Sequence, residues 1–184
     1  GSPISTQPTT IPRGDFHADV AILGAGPGGY TAAFRAADLG KKVILIERSP
    51  VLGGVCLNVG CIPSKALLHM AKIVTDAEET IHAGINLNTP KLELNKLRKW
   101  KESIIEKLTN GLTALAKKRN VEVIQGNGKF ITPNMISVTT PNGQKTVSFE
   151  YCVIAAGSSV AHPPGIIQND PRIIDSTGAL ELED

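Results

Sequence analysis

Apolar residues fall in short, nearly unbroken runs along this chain, and the runs alternate with stretches of helical period. Ala18–Leu23 is one run and Val43–Ile46 another. Such runs suit parallel strands buried on both faces. Between them lies a glycine-rich turn, residues 24–29, then a helix of small residues from Tyr30 to about Leu39, ended by Gly40. From Lys65 the chain reads as helix to about Ala83, with Gly84 as C-cap. A longer helix follows Asn95. Its apolar residues Leu97, Trp100, Ile104, Leu108, Leu112 and Leu115 recur at three and four, which predicts one core-facing side with Trp100 as an anchor. Lys96, Lys99, Lys101, Glu102, Glu106 and Lys107 form the opposite, solvated side.

Val121–Ile124 predicts a third strand, after which the period changes to two. Lys129–Thr132, Met135–Thr140 and Lys145–Phe149 read as short antiparallel strands, with Asn142-Gly143 as a tight turn. Tyr151–Ala155 is again apolar and reads as a separate parallel-type strand holding Cys152 as a small buried hydrophobe. Residues 160–184 are proline-rich, then briefly helical. Together these elements predict an α/β fold: a Rossmann-like dinucleotide-binding domain with a parallel sheet, helices and a small antiparallel β insert.

Composition narrows the possibilities. With 41% hydrophobic residues, 184 residues can bury one sizeable core. A net charge of +2 makes no case for nucleic acid or an anionic membrane. No apolar run approaches the ~20 residues of a membrane span. Gly1-Ser2 resembles a tag scar. Pro3–Gly14, with three prolines among serine and threonine, reads as a linker or a frayed terminus, so residues 15–184 carry the fold. Three cysteines without a charged-then-apolar leader point to a reducing, cytoplasmic compartment, where a cysteine pair is more often catalytic than structural.

Two stretches carry chemistry. Gly24, Gly26 and Gly29 fit G-x-G-x-x-G, and here the motif has its required context of strand before and helix after. The first glycine allows a tight turn, the second a close approach to a pyrophosphate, and the third helix–strand packing. Glu47 ends the next strand about twenty residues on, placed to accept hydrogen bonds from a ribose diol. This set predicts an adenosine dinucleotide and leaves FAD and NAD open. The other stretch is Gly53–Lys65, where Cys56 and Cys61 sit five apart in a loop with three glycines. Pro63 suits the first turn of a helix starting just after Cys61. A thiol there feels the positive end of the helix dipole, which favours the reactive thiolate, and Lys65 adds positive charge. Zinc would need more ligands than one such pair offers. A structural disulfide is possible, but closing so short a loop gains less chain entropy than closing a long one. A redox-cycling disulfide is the better reading.

Gly53–Lys65, Gly24–Tyr30, Ala155-Ala156-Gly157-Ser158 and Asp175-Ser176-Thr177 resemble the flavoprotein disulfide reductases, and most closely the branch that oxidises dihydrolipoamide. Val55 stands where many members have threonine. The resemblance implies FAD as the bound dinucleotide and NAD as co-substrate of the longer protein. Gly24, Gly26, Pro27, Gly28 and Gly29 would take the pyrophosphate end. Glu47 would hold the adenosine ribose, and Arg48 would belong to the cofactor-binding set. Gly53, Gly54, Val55, Cys56, Cys61 and Lys65 would lie near the flavin, with Gly128, Ala156, Gly157 and Ser158 lining the cofactor. Cys56 would exchange with substrate and Cys61 would share charge with the flavin, with Lys65 beside them. Implied partners are lipoyl domains of 2-oxo acid dehydrogenase complexes and a second copy of the chain. Members also carry a second dinucleotide domain and a late histidine–glutamate pair. Neither has a counterpart at His17, His69, His82 or His162 or elsewhere here. The expectation is therefore a first segment of the FAD-binding domain that is inactive alone and holds FAD weakly. Glutathione- or mercuric-reductase-like enzymes, and a non-catalytic FAD-binding or thiol-redox module, are the alternatives.

Overall fold

The computed structural model describes residues 11–88, 90–165 and 170–181. They divide into two compact units. One comprises the described part of residues 1–50 together with 115–156, and the other residues 51–114 with the described part of 157–184.

The first unit is a six-stranded sheet. Its strands are β1 (Phe16–Leu23), β2 (Val43–Glu47), β3 (Glu122–Gln125), β4 (Asn127–Thr132), β5 (Met135–Thr140) and β6 (Gly143–Ile154), in the spatial order β3-β2-β1-β6-β5-β4. β1, β2, β3 and β6 run parallel, β5 pairs antiparallel with β6, and β4 pairs antiparallel with β5. Helix α1 (Pro27–Asp38) joins β1 to β2 and packs on both. It starts at Pro27 rather than Tyr30, because proline fits a first helical turn and the glycines continue it. All five residues of β2 are buried, as its unbroken apolar run requires. The core gathers Ala18, Ala21, Ile44, Ile46, Ile136, Val138, Val147 and Phe149 into one cluster. Phe130 meets Phe149 edge to face at 6.1 Å.

The two strands expected at Lys145–Phe149 and Tyr151–Ala155 are one 12-residue strand, β6. Its first half pairs antiparallel with β5 through Ser148, and from Val147 on it pairs parallel with β1. The change of pattern marks a change of neighbour, not a break in the chain. Gly14 and Asp15, just before β1, are bonded to β6. The Gly14 N–H donates to Ser148 Oγ at 3.0 Å, the Asp15 N–H to Thr146 Oγ1 at 2.9 Å, and the Thr146 N–H to the Asp15 carboxylate at 2.8 Å. Residues 11–13 have no regular secondary structure, and residues 1–10, with the tag-like and linker readings placed there, lie outside the described residues.

The second unit is helical. It holds α2 (Gly54–Val59), α3 (Cys61–Glu79) with a 3-10 turn at Thr80–Ala83, α4 (Leu94–Lys118) and α5 (Ser176–Glu181). The last residues of α4 belong to the first unit. Gly84, in the left-handed region, closes the 3-10 turn as expected of a C-cap. The expected helix at the end of the chain is α5, capped by Asp175, whose carboxylate accepts the Gly178 N–H at 2.9 Å. The part of that segment at 166–169 and 182–184 lies outside the described residues.

The predicted face of α4 is wrong by about one position. Its most buried residues are Lys101, Thr109 and Ala116, whereas Trp100, Leu108 and Leu115 are 37, 41 and 41% exposed. Trp100 is not a core anchor, and Lys101 is not on the solvated side. Successive residues on a helix lie ~100° apart, so the line through 101, 109 and 116 sits beside the apolar stripe rather than on it.

Candidate functional site

The nucleotide-binding candidate lies wholly in the first unit. β1 delivers the chain to Gly24, whose φ of +100° only glycine adopts freely. A Cβ at Gly29 would fall on the Gly24 carbonyl oxygen, so the tight strand–turn–helix passage excludes any side chain there. Gly26 is the N-cap of α1, and no side chain caps it. With Pro27 lacking an N–H, the amides of Gly28 and Gly29 open the helix, a surface suited to an anion.

Glu47 is 7% exposed at the end of β2. Its Oε2 accepts the Ala25 N–H at 2.7 Å and its Oε1 accepts the Ser49 N–H at 2.8 Å. The carboxylate thus ties the glycine turn to the end of β2. An ionised carboxylate has about four acceptor sites, so two remain for a ligand diol. Beside it is a cavity of about 200 Å³, lined by Leu23, Gly24, Ile46, Glu47, Arg48, Gly126, Asn127, Gly128 and Ala156. That is below the ~300–1,000 Å³ of whole-ligand sites and suits one part of a dinucleotide. The structure therefore brings Gly24, Glu47, Arg48, Gly128 and Ala156 together. Sequence reasoning missed Leu23, Ile46, Gly126 and Asn127. The glycine spacing at 126 and 128 was the available signal: a Cβ at Gly128 would press to 2.6 Å from Leu23 Cδ1. Gly157 and Ser158 follow β6 and belong to the second unit.

The cysteine pair lies wholly in the second unit. The expected loop is instead a helix–break–helix. Cys56 sits mid-way along α2, and Cys61 is the first residue of α3, with Gly60 between them at φ −145°, ψ −110°. Asn58 explains the short helix, since its Nδ2 donates to the carbonyls of Leu52 and Gly54 at 3.1 and 2.9 Å. Leu57 is buried on the same turn. A Cβ on Gly60 would lie 2.8 Å from the Val55 carbonyl oxygen, so the fold of the pair needs glycine there. Pro63 is buried in the first turn of α3.

Cys56 and Cys61 are free thiols in the structure, Cys61 exposed and Cys56 half-buried. Hydrogen bonding to the neighbouring Cys61 is the largest cause that pushes the Cys56 thiol above its ordinary range, and partial burial adds to it; Lys65 pulls weakly the other way. Cys152, half-buried beside the core of the first unit, is pushed up by burial alone. Gly53 precedes α2 as its N-cap, Gly54 and Val55 form its first turn, and Lys65 is exposed on α3. His69 and His82 are exposed. Among the described residues no three His, Cys, Asp or Glu side chains cluster as metal ligands.

The first unit carries a strand–glycine turn–helix passage with its acid, and the second a cysteine pair across a helix break. The chain belongs to the pyridine nucleotide-disulphide oxidoreductase family, which it matches over residues 18–184. Among curated relatives it is 52% identical to the dihydrolipoyl dehydrogenase of Vibrio cholerae over 170 residues, 92% of this chain and 36% of that protein. It is 44% identical to the mitochondrial dihydrolipoyl dehydrogenase 1 of Arabidopsis thaliana, covering 90% of this chain and 33% of the relative. Among solved structures, the HOCl-induced flavoprotein disulfide reductase RclA of Escherichia coli, as its Cu(II) complex, superposes with a TM-score of 0.73 at 30% identity. That match covers 89% of this chain and 34% of the other. The chain spans about a third of the length of these proteins.

Proposed function

We propose that this chain is the first segment of the FAD-binding domain of an enzyme that oxidises dihydrolipoamide to lipoamide. Residues 15–184 would carry that segment. The observation behind the proposal is the placement of Cys56 on α2 and Cys61 at the start of α3, across the Gly60 break. The high identity to dihydrolipoyl dehydrogenases supports the choice of substrate.

In the oxidised enzyme the two sulfurs form a disulfide. A substrate thiolate attacks Cys56 Sγ, the S–S bond breaks, and the Cys61 sulfur leaves with the electron pair, next to the amide end of α3. The second substrate thiolate then attacks the substrate sulfur of the mixed disulfide and releases Cys56, which takes up a proton. The substrate departs as a cyclic disulfide, and the pair has gained two electrons. In the reduced pair Cys56 would donate its hydrogen to the Cys61 sulfur, in keeping with the upward push that Cys61 gives the Cys56 thiol. Lys65 supplies positive charge to the anionic state. Bound FAD would accept the electron pair and hand it to NAD. The uncapped start of α1, the remaining acceptor sites of Glu47, Arg48 and the Gly128 wall fit the pyrophosphate and adenosine end of FAD. By the resemblance, Gly53, Gly54, Val55, Gly157 and Ser158 would also help to hold the cofactor.

The partners that follow are lipoyl domains of 2-oxo acid dehydrogenase complexes and a second copy of the chain, in the cytoplasm. Among the described residues no helix is long and apolar enough to cross a membrane. The test is dihydrolipoamide-driven NAD reduction by the native-length protein, with Cys56→Ser and Cys61→Ser as variants. The reading expects turnover that both variants abolish. Activity with glutathione disulfide or Hg(II) instead would move the protein to another branch, and binding without turnover would make it a module.

A further inference from the structure

Lys101 is 6% exposed, an unusual place for an ammonium group. Its Nζ donates to the carbonyl oxygen of Leu180, in the last turn of α5. Carbonyls in the last turn of a helix have no partner within it, and a cation there also meets the negative end of the dipole. α5 has six residues, too few to persist on its own backbone bonds. It is held from outside at both ends, by the Asp175 carboxylate on the Gly178 N–H and by Lys101 on Leu180. α5 packs against α2, the helix that carries Cys56.

We propose that Lys101 is a positioning residue for the cysteine pair: by fastening α5 it fixes the backing of α2 and so the placement of Cys56 against Cys61. The link to catalysis rests on the reading of Cys56–Cys61 as the exchanging pair. Lys101 touches neither sulfur. Its effect passes through one short helix whose two ends are pinned by different residues. Two independent substitutions therefore reach the same target.

The test is the alkylation rate of Cys56 in the reduced chain against pH, with Cys56 and Cys61 resolved by fragment mass spectrometry. In the wild-type chain Cys56 titrates above an ordinary thiol. Lys101→Met is expected to loosen the contact with Cys61 and raise the Cys56 alkylation rate at pH 8 about threefold. Lys101→Arg, which keeps a donor, is expected to retain the wild-type profile. A Lys101→Met variant with a lower Tm and an unmoved Cys56 profile would reduce Lys101 to a structural role and overturn the proposal. Should Lys101→Met fail to fold, Asp175→Ala frees the other end of α5: a moved Cys56 profile supports the proposal and an unmoved one overturns it. If the wild-type pair is not reducible by dihydrolipoamide, the functional reading fails while the Lys101 effect is still read.

Discussion

Glu47 offers the sharpest link between local structure and site. Its two oxygens accept the Ala25 and Ser49 N–H groups at 2.7 and 2.8 Å, and the two bonds differ in worth. Ala25 is fully buried, so its N–H has no water to turn to, whereas Ser49 is exposed. Glu47→Gln keeps one oxygen, which would turn to Ala25. The lost charge weakens that bond from about 1.5–3 to about 1 kcal/mol, and the amide –NH2 now faces the Ser49 donor. The expected destabilisation is about 1.5–2.5 kcal/mol. Glu47→Ala strands the buried Ala25 N–H as well and should cost about 3 kcal/mol or more. In a domain of this size, each kcal/mol lowers Tm by about 2–4 °C, so the glutamine variant should melt about 3–10 °C lower. Urea unfolding followed by circular dichroism reads both variants. If both unfold within about 0.5 kcal/mol of the wild type, Glu47 is an ordinary solvated carboxylate and its role as the brace of the glycine turn is refuted.

Removing the Cys61 thiol should bring the Cys56 titration down towards its ordinary range, because the bond to Cys61 is the largest cause of its elevation; thiolate absorbance of Cys61→Ala against pH checks this. The raised Cys56 value also sets a sign for stability. The folded, reduced chain holds its proton longer than the unfolded one, so the contribution is complete below about pH 8.5 and is lost as pH climbs through the elevated value. Reduced-chain Tm should fall across that alkaline range, and more steeply than in Cys61→Ala. Gly60→Ala forces a Cβ to 2.8 Å from the Val55 carbonyl and should cost about 1–3 kcal/mol while slowing closure of the Cys56–Cys61 disulfide, read by urea unfolding and by timed thiol trapping. Trp100, 37% exposed, should be quenched freely by acrylamide, and Trp100→Phe should change stability by no more than about 0.5 kcal/mol.

β2 was legible because burial on both faces leaves an unmistakable apolar run, whereas the apolar runs of β3 and the end of β6 leave Val123, Tyr151 and Ile154 exposed. The glycine turn, its acid and the cysteine spacing were legible because each carries a steric or chemical demand that few residue types meet. Three features were not legible. α2 is too short to show a helical period, and it is held by the side chain of Asn58 bonding back to the chain. The buried side of α4 is marked by Lys101, Thr109 and Ala116, so an apolar stripe pointed to its neighbour instead. The continuity of β6 is set by which strands flank it, information that lies more than a hundred residues away in β1. Leu23, Ile46 and Asn127 at the cavity likewise come together only through strand register.

The most direct measurement is the mass of the peptide carrying Cys56 and Cys61 after the chain has equilibrated with mixtures of dihydrolipoamide and lipoamide. A redox pair predicts that the peptide loses two hydrogens as lipoamide comes to dominate, regains them as dihydrolipoamide does, and shows one two-electron midpoint with Cys152 unchanged. A peptide that stays fully reduced in excess lipoamide, or a disulfide that dihydrolipoamide leaves intact, would contradict the assignment of Cys56 and Cys61 as the exchanging pair.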